Sequence, residues 1–257
     1  MGPDGRSDVE GHRARVPRML RAAVAALARL VHSLYAAGGI LLLSGLAVSV
    51  LALWALAGLT EEVLAGETVR MDEAALHWLA RHTSDHLDMR AVEITSLGGG
   101  VTVLTITVIV AALLALLRHG WYAILLSLAV GGGWILSPLL KALFDRSRPQ
   151  VVDWRVPYAG QASFPSGHAL MGMVLYVTLA YIVHRLSGRW WVTVLSACTA
   201  VLVVVLIGVT RVYLGVHYPS DVLAGYAVGF AWAMLCAAVV EILRDRRTTL
   251  PEGAPPG

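Results

Sequence analysis

Three short stretches of this chain carry residue types that could handle a phosphoryl group. "KALFDRSRP" (141–149) offers Lys141 and Arg148, "FPSGH" (164–168) offers Ser166, Gly167 and His168, and "TRVYLGVHYPSD" (210–221) offers Arg211, His217 and Asp221. Lys141, Arg148 and Arg211 supply three fixed positive charges, two of them guanidinium forks that match phosphate oxygens bidentately. Pro-Ser-Gly-His reads as a helix start, where a hydroxyl and free backbone N–H groups favour an anion. Of the two histidines, one can attack phosphorus while the other protonates the departing oxygen. Asp221 follows His217 by four residues, one turn of a helix, and can hold the imidazole in its nucleophilic tautomer.

The elements that must position these groups are membrane spans. Hydrophobic residues make up 57% of the chain and charged residues 14%, and mean hydropathy is +0.69. A soluble chain has roughly a quarter of its residues charged. The apolar residues gather into stretches long enough to cross a hydrocarbon core about 30 Å thick. The expected fold is all-α and polytopic, with six spans near 37–59, 98–117, 121–143, 167–185, 190–213 and 220–243. The domain reading is a polar tail and interfacial helix over 1–36, irregular up to residue 18, then a six-span domain over 37–243 and a tail over 244–257. The first span is read as a retained anchor rather than a cleaved signal. Between spans 1 and 2, "MDEAALHWLARH" has apolar residues at 71, 75, 78 and 79, the pattern of a short amphipathic helix lying on the membrane.

Charge sets the expected orientation. With six spans, the side holding both termini and the turns at 118–120 and 184–189 receives twelve of the twenty Lys and Arg residues. The positive-inside rule puts that side in the cytoplasm. The three chemistry-bearing stretches then share the opposite, extracytoplasmic face, because the chain from 168 to 211 crosses twice. Polar groups clustered at span ends are a site hypothesis by default. The formal charge of +3 belongs mainly to these topology signals, so no nucleic-acid partner is expected.

The pattern Lys-x6-Arg-Pro, then Pro-Ser-Gly-His, then Ser/Thr-Arg-x5-His-x3-Asp resembles the type-2 phosphatidic acid phosphatase and vanadium haloperoxidase superfamily. Here it runs Lys141 to Arg148-Pro149, Pro165-Ser166-Gly167-His168, and Thr210-Arg211 to His217 and Asp221. Thr210 stands where the family often has serine, and it keeps the hydroxyl. The resemblance implies a membrane lipid phosphatase of the plasma membrane, working without a metal or other cofactor. His217 would be the nucleophile forming a phosphohistidine, Asp221 its orienting carboxylate and His168 the general acid. Lys141, Arg148, Ser166, the Gly167 N–H and Arg211 would hold the phosphoryl oxygens. The substrate would be a lipid phosphate or diphosphate: undecaprenyl diphosphate is favoured, with phosphatidic acid and phosphatidylglycerophosphate close behind. A vanadate-dependent haloperoxidase and a non-catalytic lipid-phosphate carrier on the same scaffold are the alternatives.

Other polar residues receive plainer readings. Asp145, Arg146 and Arg155 are read as solvated loop charges, with contact to a lipid headgroup as the other reading. His82 and His86 have zinc-compatible spacing on a helix but no third ligand nearby. Cys198 and Cys236 sit inside apolar runs and are read as small core residues. The Gly225/Gly229 pair is read as a site of close helix packing.

Overall fold

The computed structural model describes residues 7–157 and 160–249. They form eight helices: α1 (Ser7–Leu64), α2 (Val69–Ala80), α3 (Asp85–Ser96), α4 (Gly100–Leu116), α5 (Gly120–Phe144), α6 (Gly167–Ser187), α7 (Trp190–Tyr213) and α8 (Pro219–Thr249). Among the described residues the sole β pairing is an isolated antiparallel bridge between Ser147 and Ala162. The chain divides into two compact units. One takes the chain up to Ser44 together with the part from Glu241 onward, and the other runs from Gly45 to Val240. Every residue of the three motifs lies in the second.

Five helical segments are long and apolar enough to span a bilayer: Gly39–Val63, Gly120–Phe144, Gly167–Ser187, Trp190–Tyr213 and Pro219–Arg247. The remaining expected span, the second, is α4, only 17 residues long, which passes the same test jointly with α3 across a 42° bend. The protein is therefore a multi-pass membrane protein, and its helices end within a few residues of the expected borders. The start of the chain differs from expectation. α1 is already helical at Ser7 and breaks at Gly39, whose φ of 70° is non-helical. Ala, Leu and Arg in this stretch are strong helix formers, which outweighs its polarity. Residues 1–6 and 250–257 of the two expected tails lie outside the described residues.

The stretch between spans 1 and 2 holds two helices where one was expected. α2 buries Leu76 and Asp72 while Met71 and Trp78 stay exposed. Leu76 packs with Ala169 of α6, Val212 of α7 and Val222 of α8, so α2 rests on the ends of three spans. Ser84 starts α3 by accepting the Leu87 N–H, and α3 buries Ala91 against Leu214 and Val216 beyond α7.

The glycine pair in α8 makes the approach to α6 possible. A Cβ on Gly225 would sit 2.7 Å from the Ser166 carbonyl oxygen and 3.1 Å from the Leu170 nitrogen. At Gly229 it would sit 2.7 Å from the Leu170 oxygen. These neighbours are backbone and cannot swing away. Gly225→Leu should therefore destabilise the protein by about 1–3 kcal/mol through overpacking. Thermal unfolding in detergent checks this against Gly131→Leu, where an added Cβ meets nothing within 4 Å; equal melting of the two variants would refute it.

Candidate active site

α7 ends in a turn that only glycine serves well. The Leu214 N–H bonds to Thr210 O, the Gly215 N–H to Val212 O and the Val216 N–H to Arg211 O, with Gly215 at φ 77°. This left-handed residue closes the helix and redirects the chain toward His217. α8 then starts at Pro219, where a missing N–H costs nothing. Asp221, in its first turn, reaches back to accept the Tyr218 N–H at 2.9 Å, a capping contact that also suits the helix dipole. The same carboxylate Oδ2 lies 3.4 Å from His217 Nδ1.

The second imidazole nitrogen settles the tautomer. His217 Nε2 is 3.1 Å from Arg148 Nη1. A guanidinium can only donate, so Nε2 accepts and the proton sits on Nδ1, toward Asp221. His217 is 1% exposed. Burial pushes its pKa down to about 4, against the pull of Asp221 in the other direction. The neutral ring thus keeps a lone pair on Nε2 near pH 7.

The loop between α5 and α6 is pinned at several points. Arg148 donates through Nε to Gly160 O at 2.7 Å and through Nη1 to Val216 O at 2.6 Å. Lys141 Nζ donates to Ala162 O at 2.9 Å, and Ser163 ties back to Arg146 O and Ser147 O. The Ser166 N–H donates to Asp221 O at 2.9 Å, joining the second motif to the third. Ser166 occupies the position before α6, so Gly167 and His168 form its first turn.

A cavity of about 370 Å³ opens among these groups, lined by Lys141, Arg148, Val156, Pro157, Gly167, His168, Arg211 and His217. Two buried polar atoms beside it lack any hydrogen-bond partner, Ser166 Oγ and Arg211 Nε. Arg211 is 6% exposed and makes one hydrogen bond, from Nη1 to Thr95 Oγ1 at 3.3 Å. Buried donors are rarely left unpaired. Three cations, a helix N-terminus and these two idle donors suit an anion of phosphate size.

All eight residues singled out in the sequence fall within this arrangement: seven line the cavity or hold an idle donor beside it, and Asp221 stands behind His217. The sequence reading missed three partners. Thr95 of α3 meets Arg211, and Asp72 of α2 meets Arg146, which in turn meets Asp221. Arg146 is not a solvated loop charge, because its side chain is 12% exposed and bridges both carboxylates. Arg155 is not free either; it lies 3.6 Å from Asp88 and over the Tyr213 ring. The sequence held no signal that sets Asp72 apart from Glu73 beside it.

Asp145 is exposed, as expected. His82 lies past the end of α2 and contacts Trp78 O, while His86 belongs to α3, so the two do not share a helix face. Among the described residues, no group of three or more His, Cys, Asp or Glu is placed to hold a metal ion.

Comparison with known proteins points the same way. The chain is 34% identical over 137 residues to phosphatidylglycerophosphatase B of Bacillus subtilis, covering 53% of this chain and 66% of that protein. It is 26% identical over 130 residues to undecaprenyl-diphosphatase BcrC of the same organism, covering 49% and 61%. The chain thus spans no more than about two thirds of these relatives' length. The crystal structure of a transmembrane PAP2-type phosphatidylglycerolphosphate phosphatase from B. subtilis superposes with a TM-score of 0.69 at 25% identity, covering 80% of this chain and 98% of that one. The family model of the PAP2 superfamily matches residues 133–245, a stretch that contains all three motifs. That stretch holds α6, α7, most of α8 and all eight residues singled out in the sequence, and it belongs to the PAP2 superfamily.

Proposed function

We propose that this protein is a membrane lipid phosphatase that removes the terminal phosphate of a lipid phosphate or diphosphate through a phosphohistidine. The observation that carries the reading is the cavity where His217 Nε2, held as acceptor, meets three cations and two unpartnered buried donors. His217 Nε2 attacks phosphorus, and the bond from phosphorus to the leaving oxygen breaks. His168 passes a proton to that oxygen. Water then attacks phosphorus, the P–N bond breaks, His168 takes the water proton and inorganic phosphate leaves. Lys141, Arg148, Arg211, Ser166 Oγ and the Gly167 N–H hold the equatorial oxygens, where charge builds in the transition state. Arg148 changes partner in this scheme, from Nε2 to a phosphoryl oxygen, which frees the lone pair as substrate arrives.

The site lies at the span ends, so an amphiphile can keep its tail in the bilayer while its headgroup enters. The count of Lys and Arg supports an extracytoplasmic site in the plasma membrane, with both termini in the cytoplasm. Two substrates have support. Phosphatidylglycerophosphate is favoured by the 34% identity to phosphatidylglycerophosphatase B, and undecaprenyl diphosphate by the likeness to BcrC and by the sequence expectation.

Phosphate release from both lipids and from phosphatidic acid, in detergent, with and without chelator, is the direct test. Release from at least one, indifferent to chelator, is expected. Vanadate, which adopts the five-coordinate geometry of the transferring group, should compete with substrate. No release from any of the three, or indifference to millimolar vanadate, would overturn the reading.

A further inference from the structure

Arg146 is a nearly buried cation that the phosphate cradle does not use. It is absent from the cavity lining, yet its guanidinium ties three elements together. Nη1 donates to Asp221 Oδ1 at 2.6 Å and to Ser220 Oγ at 2.8 Å, and Nη2 donates to Asp72 Oδ2 at 2.9 Å. Its carbon lies 4.2 Å from the centre of the Tyr218 ring. Asp72 also accepts the Ser220 N–H at 3.1 Å and the Ser220 hydroxyl. The α2 carboxylate therefore holds both the arginine and the first turn of α8.

The consequence falls on Asp221, whose side chain is fully buried. Its two oxygens have separate partners. Oδ1 takes Arg146, while Oδ2 takes the Tyr218 N–H and faces His217 Nδ1. A carboxylate oxygen held by one arm of a planar guanidinium, whose other arm is fixed on Asp72, cannot turn freely. We propose that Arg146, anchored by Asp72 of α2, is a positioning residue for the phosphoryl transfer: it fixes the carboxylate plane of Asp221 so that Oδ2 orients the His217 imidazole. This rests on the reading of His217 as nucleophile. It also gives α2 a role, since a helix outside the spans then reaches the reaction through two linked ion pairs.

The test uses the purified full chain in detergent with three variants: Arg146→Lys, Asp72→Asn and the double variant Arg146→Met/Asp72→Asn. A lysine carries the charge as a compact point donor and lacks the planar fork that sets the angle between the two carboxylates. The double variant removes the guanidinium together with one of its two carboxylates, which limits buried unpaired charge. Misplacing a catalytic group by about 1 Å costs about 100-fold. We expect kcat to fall about 100-fold in the double variant and about 10-fold in each single one. KM and the vanadate inhibition constant should stay within about threefold, because the cradle is untouched.

A merely structural Arg146 would lower the melting temperature and leave kcat of the folded fraction unchanged; that result overturns the proposal. So does a rise in KM that matches the fall in kcat. Should the double variant not fold, unchanged kcat in Arg146→Lys overturns it equally. The nitrogen resonances of 15N-histidine-labelled protein add an arm that needs no turnover. His217 Nδ1 should shift between wild type and Arg146→Lys, and an unmoved resonance refutes the proposal. A wild-type chain that releases no phosphate would sink the phosphatase reading alone, and the resonance would still decide the role of Arg146.

Discussion

His217→Ala is expected to abolish phosphate release, with a loss of about 10⁴-fold or more, as for removal of a nucleophile that acts within a concerted group. The geometry makes the loss specific to chemistry. Asp221 keeps the Tyr218 N–H and Arg146 when the imidazole is gone, and Arg148 keeps Val216 O and Gly160 O. No buried charge is stranded, so the variant should melt within a few degrees of wild type. Rapid quench of wild type with 32P-labelled substrate, into base to preserve a P–N bond, should trap label on the protein; the variant should trap none. Turnover at the wild-type rate, or equal labelling of the variant, would sink the nucleophile assignment.

The second large effect is expected at His168. It sits in the first turn of α6 and lines the cavity together with Gly167 and His217. As general acid it should contribute about 10²–10⁴-fold on a substrate whose leaving oxygen needs a proton. His168→Asn should therefore be crippled on lipid phosphates. With p-nitrophenyl phosphate the P–O bond breaks to expel p-nitrophenolate, which needs no proton, so the first step should recover with that substrate. The second step still needs a base to activate water, and phosphoenzyme should accumulate, visible as a burst of p-nitrophenol followed by slow turnover. Equal losses on both substrates, with no burst, would show that His168 moves no proton and serves only to bind.

Much of this was legible because hydropathy and motif spacing act locally. α7 begins and ends at the residues expected, Trp190–Tyr213, since an apolar run bounded by polar groups has one way to sit in hydrocarbon. The return of α7 to the face where α6 starts followed from span count alone, and it brought Arg211 and His217 to His168. The four-residue step from His217 to Asp221 was read as a helical turn. In the structure it straddles the start of α8 and still places Oδ2 at Nδ1.

Which charges are paired was not legible in this way. Arg146 and Arg155 sit in a loop of polar composition, and polarity alone suggests exposure. Their partners, Asp72 and Asp88, lie in helices far away in the chain, and only the docking of α2 and α3 onto the span ends brings them within 4 Å. The same docking supplies Thr95 to Arg211.

By itself, the sequence determined the membrane class, the span borders, the three motifs and the face they share, because each depends on short-range pattern and on the bilayer's thickness. The tertiary structure alone decided the His217 tautomer, the two idle donors and the Asp72–Arg146–Asp221 chain. Those depend on side chains meeting across long loops, and the free energy of a buried charge is set by such neighbours rather than by its own segment.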